Sequence, residues 1–361
     1  MVICLSQIKE DKFIFGGVRV MRKVLTIFVV ATMILAVSGV ASANMNFEIT
    51  FGNGFSDNTV AQEAVTRAAA RWSNVLMDPV TIRFNADYDS TSSGHVETSV
   101  VGRPTSYGTI RSMLTTNAGE TNNAREASLL PKLPASSVNW NFPAIERAGT
   151  STYGYLTMTH AQALALGEER QTESEGGITL SSTVAWDFNP NDGIDSDKYD
   201  FEGTVVREIG HILGFSSAID SIDNFRYDVP NLEYDSHMIF PPILDLFRFS
   251  ASDLAANDFD FSTSARNLVP GDEASFYYED SSIAMSTGII HGDGYSGDAW
   301  KEEAVFSIGI MDPLLALGEI GQIGDNDLIA MDLIGYQMVP EPATMLLLGL
   351  GGLFLRRRKN A

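Results

Sequence analysis

The fold of this chain is decided by the segment Phe201-Glu-Gly-Thr-Val-Val-Arg-Glu-Ile-Gly-His-Ile-Leu-Gly-Phe215. It predicts a helix that stops at Gly214, because glycine commonly follows the last helical turn. Side chains four positions apart lie on one face of a helix. Arg207 and His211 have this spacing, and Glu208 follows Arg207 directly. The segment therefore places a guanidinium, a carboxylate and an imidazole close together on one helix.

The spacing is that of the zinc-peptidase motif His-Glu-x-x-His. In that motif two imidazoles grip one ion, and the Glu deprotonates the water bound to the ion. Glu208, His211 and Gly214 stand in register with it, while Arg207 occupies the position of the first histidine. Glu-x-x-His alone is nearly a random match. The run from Val205 to Ser217, however, resembles the active-site helix of metzincin-type metallopeptidases, in the version found in secreted bacterial proteins with PEP-CTERM tails.

The resemblance covers essentially all of Asn44 to Met338. Further matching segments are Leu244 to Ser250, Phe276 to Gly288, Gly309 to Pro313 and Asp325 to Tyr336. It implies the α+β class and a metzincin-like zinc-peptidase fold. We expect a twisted mixed sheet with two long helices in an N-terminal peptidase-like subdomain, residues 44–235, and a loop-rich C-terminal subdomain, residues 236–338.

The resemblance also implies roles for single residues. Glu208 is then the catalytic base, His211 a zinc ligand and Met311 the methionine of a turn beneath the site. In the leishmanolysin-like branch the third ligand is a His directly before a Trp, but here Ala299 precedes Trp300. Two of the three expected imidazoles are therefore replaced.

These replacements weaken any zinc site. Structural zinc sites bind with about 10 to 16 kcal/mol in total. A guanidinium at Arg207, held about 4 Å from a doubly charged ion, adds a repulsion of about 8 kcal/mol at an effective dielectric near 20. We expect a retained peptidase fold in which zinc binding and peptide hydrolysis are weak or lost.

Two alternatives remain open. Surrogate ligands for His211 would preserve an active metalloendopeptidase, and the candidates are His291, Asp220, Asp293 and Asp298. Such a set suits a harder or more weakly bound ion than three imidazoles do. The other alternative is a non-catalytic surface protein that binds a peptide or the extracellular matrix in the same groove.

The chain begins its folded part with a strand, a helix and a strand. Phe47, Ile49 and Phe51 alternate as in a half-buried strand, Asp57 to Met77 has helical periodicity, and Val80 to Phe84 resumes a strand. This is the unit of a sheet with a crossover helix. The strand Ile178 to Trp186 is expected at the edge of the cleft, and the polar stretch Ser90 to Ser137 is left unassigned.

The other polar features have mainly structural interpretations. The loop Asp187 to Asp197 alternates acidic and amide side chains, so it is either a calcium site, although not an EF-hand, or a solvated loop. Asp245 to Phe249 is predicted to be a packing element whose charged pair forms a local bridge. Three histidines have no partner at ligand spacing and are predicted to be structural or surface residues, namely His95, His160 and His237.

The N-terminal end reads as a secretory signal. Met21-Arg-Lys is followed by an apolar run from Val24 to Val40 and the small residues Ala41-Ser42-Ala43. We therefore interpret residues 1–43 as a leader and signal peptide in which Met21 is the true start. A membrane-spanning helix is the weaker alternative, because the run is short.

The C-terminal end, residues 339–361, resembles the PEP-CTERM sorting signal. It combines a Pro-Glu-Pro triplet, an apolar stretch and a basic cluster, carried by Pro340, Glu341, Pro342, Arg356, Arg357 and Arg358. The resemblance implies recognition by an exosortase-type enzyme, transient membrane association and export to the cell surface or extracellular matrix of a bacterium with an outer membrane. A simple tail anchor is the alternative.

The net charge of the chain limits the classes of molecule that it can bind. The 361 residues carry 24 basic and 46 acidic side chains, a formal net charge of -22. Without the two predicted targeting ends, 15 basic and 43 acidic side chains remain and the net charge is -28. This charge argues against a nucleic-acid or anionic-membrane partner, because both require a basic surface to offset phosphate charge.

Overall fold

The computed structural model describes residues 44–90, 94–121, 123–142, 151–227, 239–302 and 307–339. The predicted leader with Met21, the histidine His237, the subdomain boundary at residues 235 and 236, and the sorting residues from Pro340 to Arg358 lie outside these ranges. The chain divides into two compact units between Ala43 and Asn44. All further description concerns the second unit, within which the two predicted subdomains stay a prediction.

The strands are β1 Asn46–Phe51, β2 Thr81–Asp89, β3 Val96–Val100, β4 Gly102–Ser106, β5 Val138–Asn141, β6 Ser151–Tyr153, β7 Tyr155–Thr159, β8 Gly176–Ser181, β9 Trp186–Asp187, β10 Tyr199–Asp200, β11 Arg248–Ser250, β12 Arg266–Asn267, β13 Ala274–Tyr278 and β14 Ser281–Met285. The helices are α1 Thr59–Ser73, α2 Tyr107–Thr121, α3 Ala124–Leu129, α4 His160–Ala165, α5 Phe201–Ile212, α6 Ile219–Tyr227, α7 Ala251–Leu254 and α8 Asp325–Leu333. The architecture is mixed α/β.

The largest sheet has the order β1-β2-β8-β3. β1 pairs with β2 in parallel, and β2 pairs with β8 in parallel, whereas β3 joins β8 antiparallel. The helix α1 connects the first two strands and starts at Asn58, whose side chain accepts a hydrogen bond from the backbone N–H of Ala61. The predicted strand, crossover helix and strand are thus confirmed.

The predicted cleft edge was wrong. The strand β8, which begins the stretch Ile178 to Trp186, lies inside the sheet and pairs on both sides. The strand at that end of the sheet is β3, Val96–Val100, within the stretch that had been left unassigned. A short strand of mixed polarity gives a weak periodic signal, and only its pairing with β8 identifies it.

The motif helix α5 packs against α1 and against strands β3 and β8 of the sheet. Its N-terminus is capped by Asp200, whose carboxylate accepts the backbone N–H of Gly203 at 2.9 Å. The indole N–H of the buried Trp72 in α1 donates to the carbonyl of Val206 at 2.8 Å. The helix ends before Gly214, whose φ of 108° lies in the left-handed region that glycine adopts without strain.

A smaller antiparallel sheet of β11, β13 and β14 follows. The pair Asp245 and Arg248 next to it corrects a prediction, because the two side chains do not form a local bridge. Both are fully buried. The Asp245 carboxylate accepts from the Ser217 hydroxyl at 2.7 Å and from the backbone N–H of Ala218 at 2.9 Å, whereas Arg248 donates to the carbonyl of Ser286 at 2.7 Å.

Asp78 leads to a prediction on pH. Burial raises the pKa of Asp78 from 3.8 to about 7, although its carboxylate accepts the backbone N–H of Gln337. Between about pH 4 and pH 7 the folded protein therefore holds a proton that the unfolded chain has released. This contribution to the free energy of unfolding falls as the pH rises through that window and is constant above it.

We expect Asp78→Asn to remove this contribution, because the amide is neutral at every pH. The difference in melting temperature between the variant and the wild type, measured at pH 5 and at pH 8, should become more favourable to the variant at pH 8. Equal differences at the two pH values contradict an elevated pKa of Asp78.

Candidate functional site

Arg207 and Glu208 form an ion pair at the centre of the site. Nη1 of Arg207 lies 2.9 Å from Oε1 of Glu208, and both side chains are largely buried. The other oxygen of Glu208, Oε2, accepts a hydrogen bond from the Thr98 hydroxyl of β3 at 2.7 Å. Nε of Arg207 donates to the carbonyl of Asp312 at 2.9 Å. Each oxygen of Glu208 therefore has a partner within the protein.

His211 lies one turn further along the same helix and is buried. Its Nδ1 is 2.7 Å from the carbonyl oxygen of Phe215, which fixes the ring by a backbone contact. Oδ2 of Asp298 lies 3.6 Å from the same nitrogen. Asp298 is therefore the residue of this segment that lies beside His211. It directly precedes Ala299, the position at which the resemblance expects the third ligand. The carboxylate lies at the Nδ1 edge of the ring.

Met311 packs beneath the helix. A Cβ atom built on Gly210 would lie 2.5 Å from the sulfur of Met311, so a larger residue there would displace the methionine side chain. Ile310 and Met311 are fully buried. The turn that carries Met311 therefore lies against Gly210, the residue before His211; the role of Met311 beneath a metal site stays a prediction.

Asp327 holds this turn in place. The carboxylate is fully buried and accepts four hydrogen bonds. The donors are the backbone N–H groups of Ile310 at 2.7 Å, Met311 at 3.2 Å and Gly324 at 2.7 Å, and the indole N–H of Trp300 at 2.8 Å. One side chain therefore ties the turn to Trp300 and to the start of α8.

Asp220 and Asp293, two of the proposed surrogate ligands, bind the loop between Ser286 and Asp298. Asp220 accepts the backbone N–H groups of Ile289 at 3.1 Å and Gly297 at 2.8 Å. Asp293 accepts the Ser286 hydroxyl at 2.8 Å and a backbone N–H of the same loop. Neither carboxylate is shown in contact with His211.

His291 pairs with a buried carboxylate instead of with His211. Its Nδ1 lies 2.7 Å from Oδ1 of Asp223, a residue of α6. Oδ2 of Asp223 accepts the backbone N–H groups of Ile290 and His291, both at 3.0 Å. The structure therefore gives His291 a role in holding the loop against α6.

Asp298 is the surrogate that does reach His211. Burial acts to raise the pKa of Asp298, but the charges of His211 and Arg207 and a hydrogen bond from Ser296 outweigh it, so the pKa lies below its ordinary value. Asp298 is thus a carboxylate at neutral pH. Its charge interacts with that of Arg207 on the motif helix.

Over the ranges that the structure describes, no group of three or more His, Cys, Asp or Glu side chains is disposed to hold a metal ion. In the loop Asp187 to Asp197, the Asp187 carboxylate accepts the backbone N–H groups of Asn189 and Asp195, and Asp192 accepts from the Asn189 amide. Zinc binding at His211 and calcium binding at this loop stay predictions.

The structure describes two of the three histidines that have no partner at ligand spacing, namely His95 and His160. The ring of His95 lies over Tyr199, with ring centroids 4.4 Å apart, and beside Trp186. Nδ1 of His160 is 3.1 Å from the Thr172 hydroxyl. Both contacts suit the structural roles predicted for these side chains.

Sequence reasoning missed several residues that build the site. Thr98 lies in the unassigned stretch, and Asp223, Asp312 and Asp327 contact partners that are far from them in the chain. The only early signal was compositional, because aspartates recur near the segments that carry Trp300 and Met311. No spacing in the sequence indicates from which N–H or hydroxyl group each of these carboxylates accepts a hydrogen bond.

The comparisons with known proteins concern the C-terminal end. Residues 339–359 match the PEP-CTERM protein-sorting motif. This match supports the predicted sorting signal, and it indicates an exported protein that an exosortase-type sorting enzyme recognises. No curated protein and no solved structure matches the chain. Within the described residues, no helix has both the length and the apolar character needed to cross a membrane.

The ion pair at the centre of the site yields a stability prediction. We expect Arg207→Met to lower the free energy of unfolding by about 1 to 3 kcal/mol, because it leaves the buried carboxylate of Glu208 without its charged partner. Chemical denaturation measures this loss. The double variant Arg207→Met with Glu208→Gln should lose less than the single variant, since no charge is then left unpaired. A larger loss in the double variant contradicts the pairing.

The Asp327 contacts yield a second prediction. Asp327→Asn should lower the free energy of unfolding by about 2 to 4 kcal/mol, because the new amide group faces N–H donors and leaves them unpaired. Asp325→Asn is the matched control, since Asp325 is exposed in the first turn of the same helix. The control should change stability by about 0.5 kcal/mol or less. Equal effects of the two substitutions contradict the role of Asp327.

Proposed function

We propose that the protein is an exported surface or matrix protein of a metallopeptidase-like family whose site binds zinc weakly or not at all. The observation that carries this proposal is the contact of Arg207 with Glu208 at 2.9 Å. In the motif that the helix resembles, position 207 holds a zinc ligand and Glu208 faces the metal-bound water. Here the same two positions bind each other.

This contact opposes hydrolysis in two ways. A general base must reach the proton that it abstracts, yet the oxygens of Glu208 are bonded to Arg207 and to Thr98. A metal beside His211 would also have to displace the guanidinium, which repels a doubly charged ion at about 4 Å by about 8 kcal/mol at an effective dielectric near 20. Displacement would further break the hydrogen bond from Arg207 to the carbonyl of Asp312.

The terminal strand of the sheet, β3, favours peptide binding without cleavage. The strand β3 ends the sheet order, and its Thr98 reaches Glu208 from the side of the sheet. An extended peptide adds to such a strand through backbone hydrogen bonds, which require no metal. We therefore propose an extended peptide segment of a surface or matrix protein as the ligand.

Zinc analysis tests the proposal. We expect the purified protein, equilibrated with zinc and then desalted, to retain far less than one zinc per chain and to leave unfolded casein intact. The variant Arg207→His with Ala299→His should retain about one zinc per chain, because it restores both imidazole positions. Metal analysis and gel electrophoresis of the casein measure the two outcomes.

Two controls sharpen this test. Arg207→His alone separates relief of charge repulsion from restoration of the ligand set, and it should bind zinc more weakly than the double variant. Saturable binding of labelled, unfolded casein to the wild-type protein, with no fragments formed, supports the binding role. One zinc per chain together with casein cleavage in the unaltered protein would falsify the proposal in favour of surrogate ligands.

A further inference from the structure

The chain contains two Asp-Pro bonds, Asp78-Pro79 and Asp312-Pro313, and each follows a methionine. In such a bond the carboxyl group of the aspartate can attack the backbone carbonyl of the same residue. The attack closes a five-membered ring, and proline leaves as a secondary amine. Because the two bonds share the local sequence Met-Asp-Pro, any difference in their reactivity comes from the fold.

The Asp78 carboxyl group is buried and only half engaged. Asp78 lies between α1 and β2, and its side chain is fully buried. Oδ2 accepts the backbone N–H of Gln337 at 3.1 Å. Among the described residues, Oδ1 has no hydrogen-bond partner. Burial without a donor disfavours the charged carboxylate, so this environment favours the neutral acid.

The carbonyl group of Asp78 is polarised by the turn that follows it. Its oxygen accepts the backbone N–H of Val80 at 2.7 Å, which closes a three-residue turn around Pro79. An N–H donor at a carbonyl oxygen stabilises the negative charge that this oxygen gains when its carbon is attacked. The turn therefore places an electrophile directly beside the carboxyl group.

The carboxylate of Asp312 has a different environment. Oδ1 accepts the backbone N–H of Gly309 at 3.3 Å, and Oδ2 accepts that of Ile308 at 2.9 Å. Both oxygens would have to give up a donor before either could attack. The carbonyl of Asp312 accepts Nε of Arg207 at 2.9 Å, so a polarised carbonyl is common to both bonds. The oxygen without a donor distinguishes Asp78.

We propose that the Asp78-Pro79 bond is a self-cleavage site, at which the carboxyl group of Asp78 attacks its own backbone carbonyl. Oδ1 bonds to the carbonyl carbon, the bond from that carbon to the Pro79 nitrogen breaks, and the carboxyl proton passes to this nitrogen. The products are a cyclic anhydride at Asp78 and a free amine at Pro79. One water then opens the anhydride, so the net reaction is hydrolysis of one peptide bond.

The reaction requires the proton of the Asp78 carboxyl group. Burial raises the pKa of Asp78 to about 7, against hydrogen bonds from the backbone N–H groups of Gln337 and of Asp78 itself. Tyr336 interacts electrostatically with Asp78, but burial raises the pKa of Tyr336 well above its ordinary value, so it stays neutral. Glu175, which also acts on Tyr336, is paired with Arg170. The reactive acid form therefore predominates at pH 5 and is scarce at pH 8.

The two fragments stay joined after the cut. The first fragment carries β1 and α1, and β1 pairs along its whole length with β2 of the second fragment. The helix α1 packs against the motif helix α5. Leu76, before the cut, also forms a β-bridge with Met338. The cut therefore becomes visible only when the protein is denatured.

The test uses the purified full-length chain, kept folded at pH 5 and at pH 8 and sampled over several days. Denaturing electrophoresis should show two fragments, and terminal sequencing with intact-mass analysis should find that one ends at Asp78 and the other begins at Pro79. They should form about tenfold faster at pH 5, because the protonated fractions at the two pH values differ by about this factor for a pKa of about 7. The rate should not depend on protein concentration.

Two variants and an internal control complete the test. Asp78→Asn removes the acid but keeps an amide oxygen for the N–H of Gln337, and it should stay uncut. Pro79→Ala keeps Asp78 and changes the leaving nitrogen at an exposed position, and it should lose most of the cleavage. In the chain unfolded in acid, the Asp312-Pro313 bond should be cut at a rate similar to that of Asp78-Pro79.

A folded chain that stays intact at pH 5, while the unfolded chain is cut, overturns the proposal. Equal cutting at Asp312-Pro313 in the folded chain overturns it too, because ordinary acid lability then suffices. A rate that rises with protein concentration shows that a second molecule makes the cut, and this also overturns self-cleavage. None of these results depends on zinc or on peptide binding at Glu208 and Arg207.

Discussion

The turn that carries Met311 and the indole of Trp300 depend on the hydrogen bonds that the Asp327 carboxylate accepts. It accepts N–H donors from Ile310, Met311, Gly324 and Trp300, which come from three separate segments of the chain. A buried carboxylate with several donors is stable, and each donor would be costly to leave unpaired. The turn at Met311 and the indole of Trp300 therefore stay in place whether or not an ion lies above them.

Hydrogen bonds to buried side chains also hold the loop between Ser286 and Asp298, which lies beside His211. Asp220 and Asp223 on α6 accept backbone N–H groups from the loop, and the buried guanidinium of Arg248 donates to the carbonyl of Ser286 at its start. Opposite charges close to Arg248 offset the cost of its burial, since both Asp245 and Asp220 act on it electrostatically. Side chains that could have served as metal ligands thus shape the loop.

The sequence predicted the elements whose signals are local. The alternation in β1, the periodicity of α1 and the glycine after α5 are properties of adjacent residues. The strand β3 escaped because it is short and mixed in polarity, and its identity depends on pairing with β8. The partners of Asp327 and of Asp223 could not be predicted either, since a carboxylate finds buried N–H donors only after distant segments have packed together.

Arg207 then takes on the structural work that a first zinc ligand would share with the ion. Its Nε binds the carbonyl of Asp312 beside the methionine turn, while its Nη1 binds Glu208 on the motif helix. One cation therefore links helix to turn, and it neutralises the carboxylate that would otherwise be buried alone. A metal entering this site would have to displace a charge that already satisfies its neighbours. Within the described residues, Arg207 and Asp327 therefore hold the motif helix, the turn that carries Met311 and Trp300 together by side-chain contacts that need no ion.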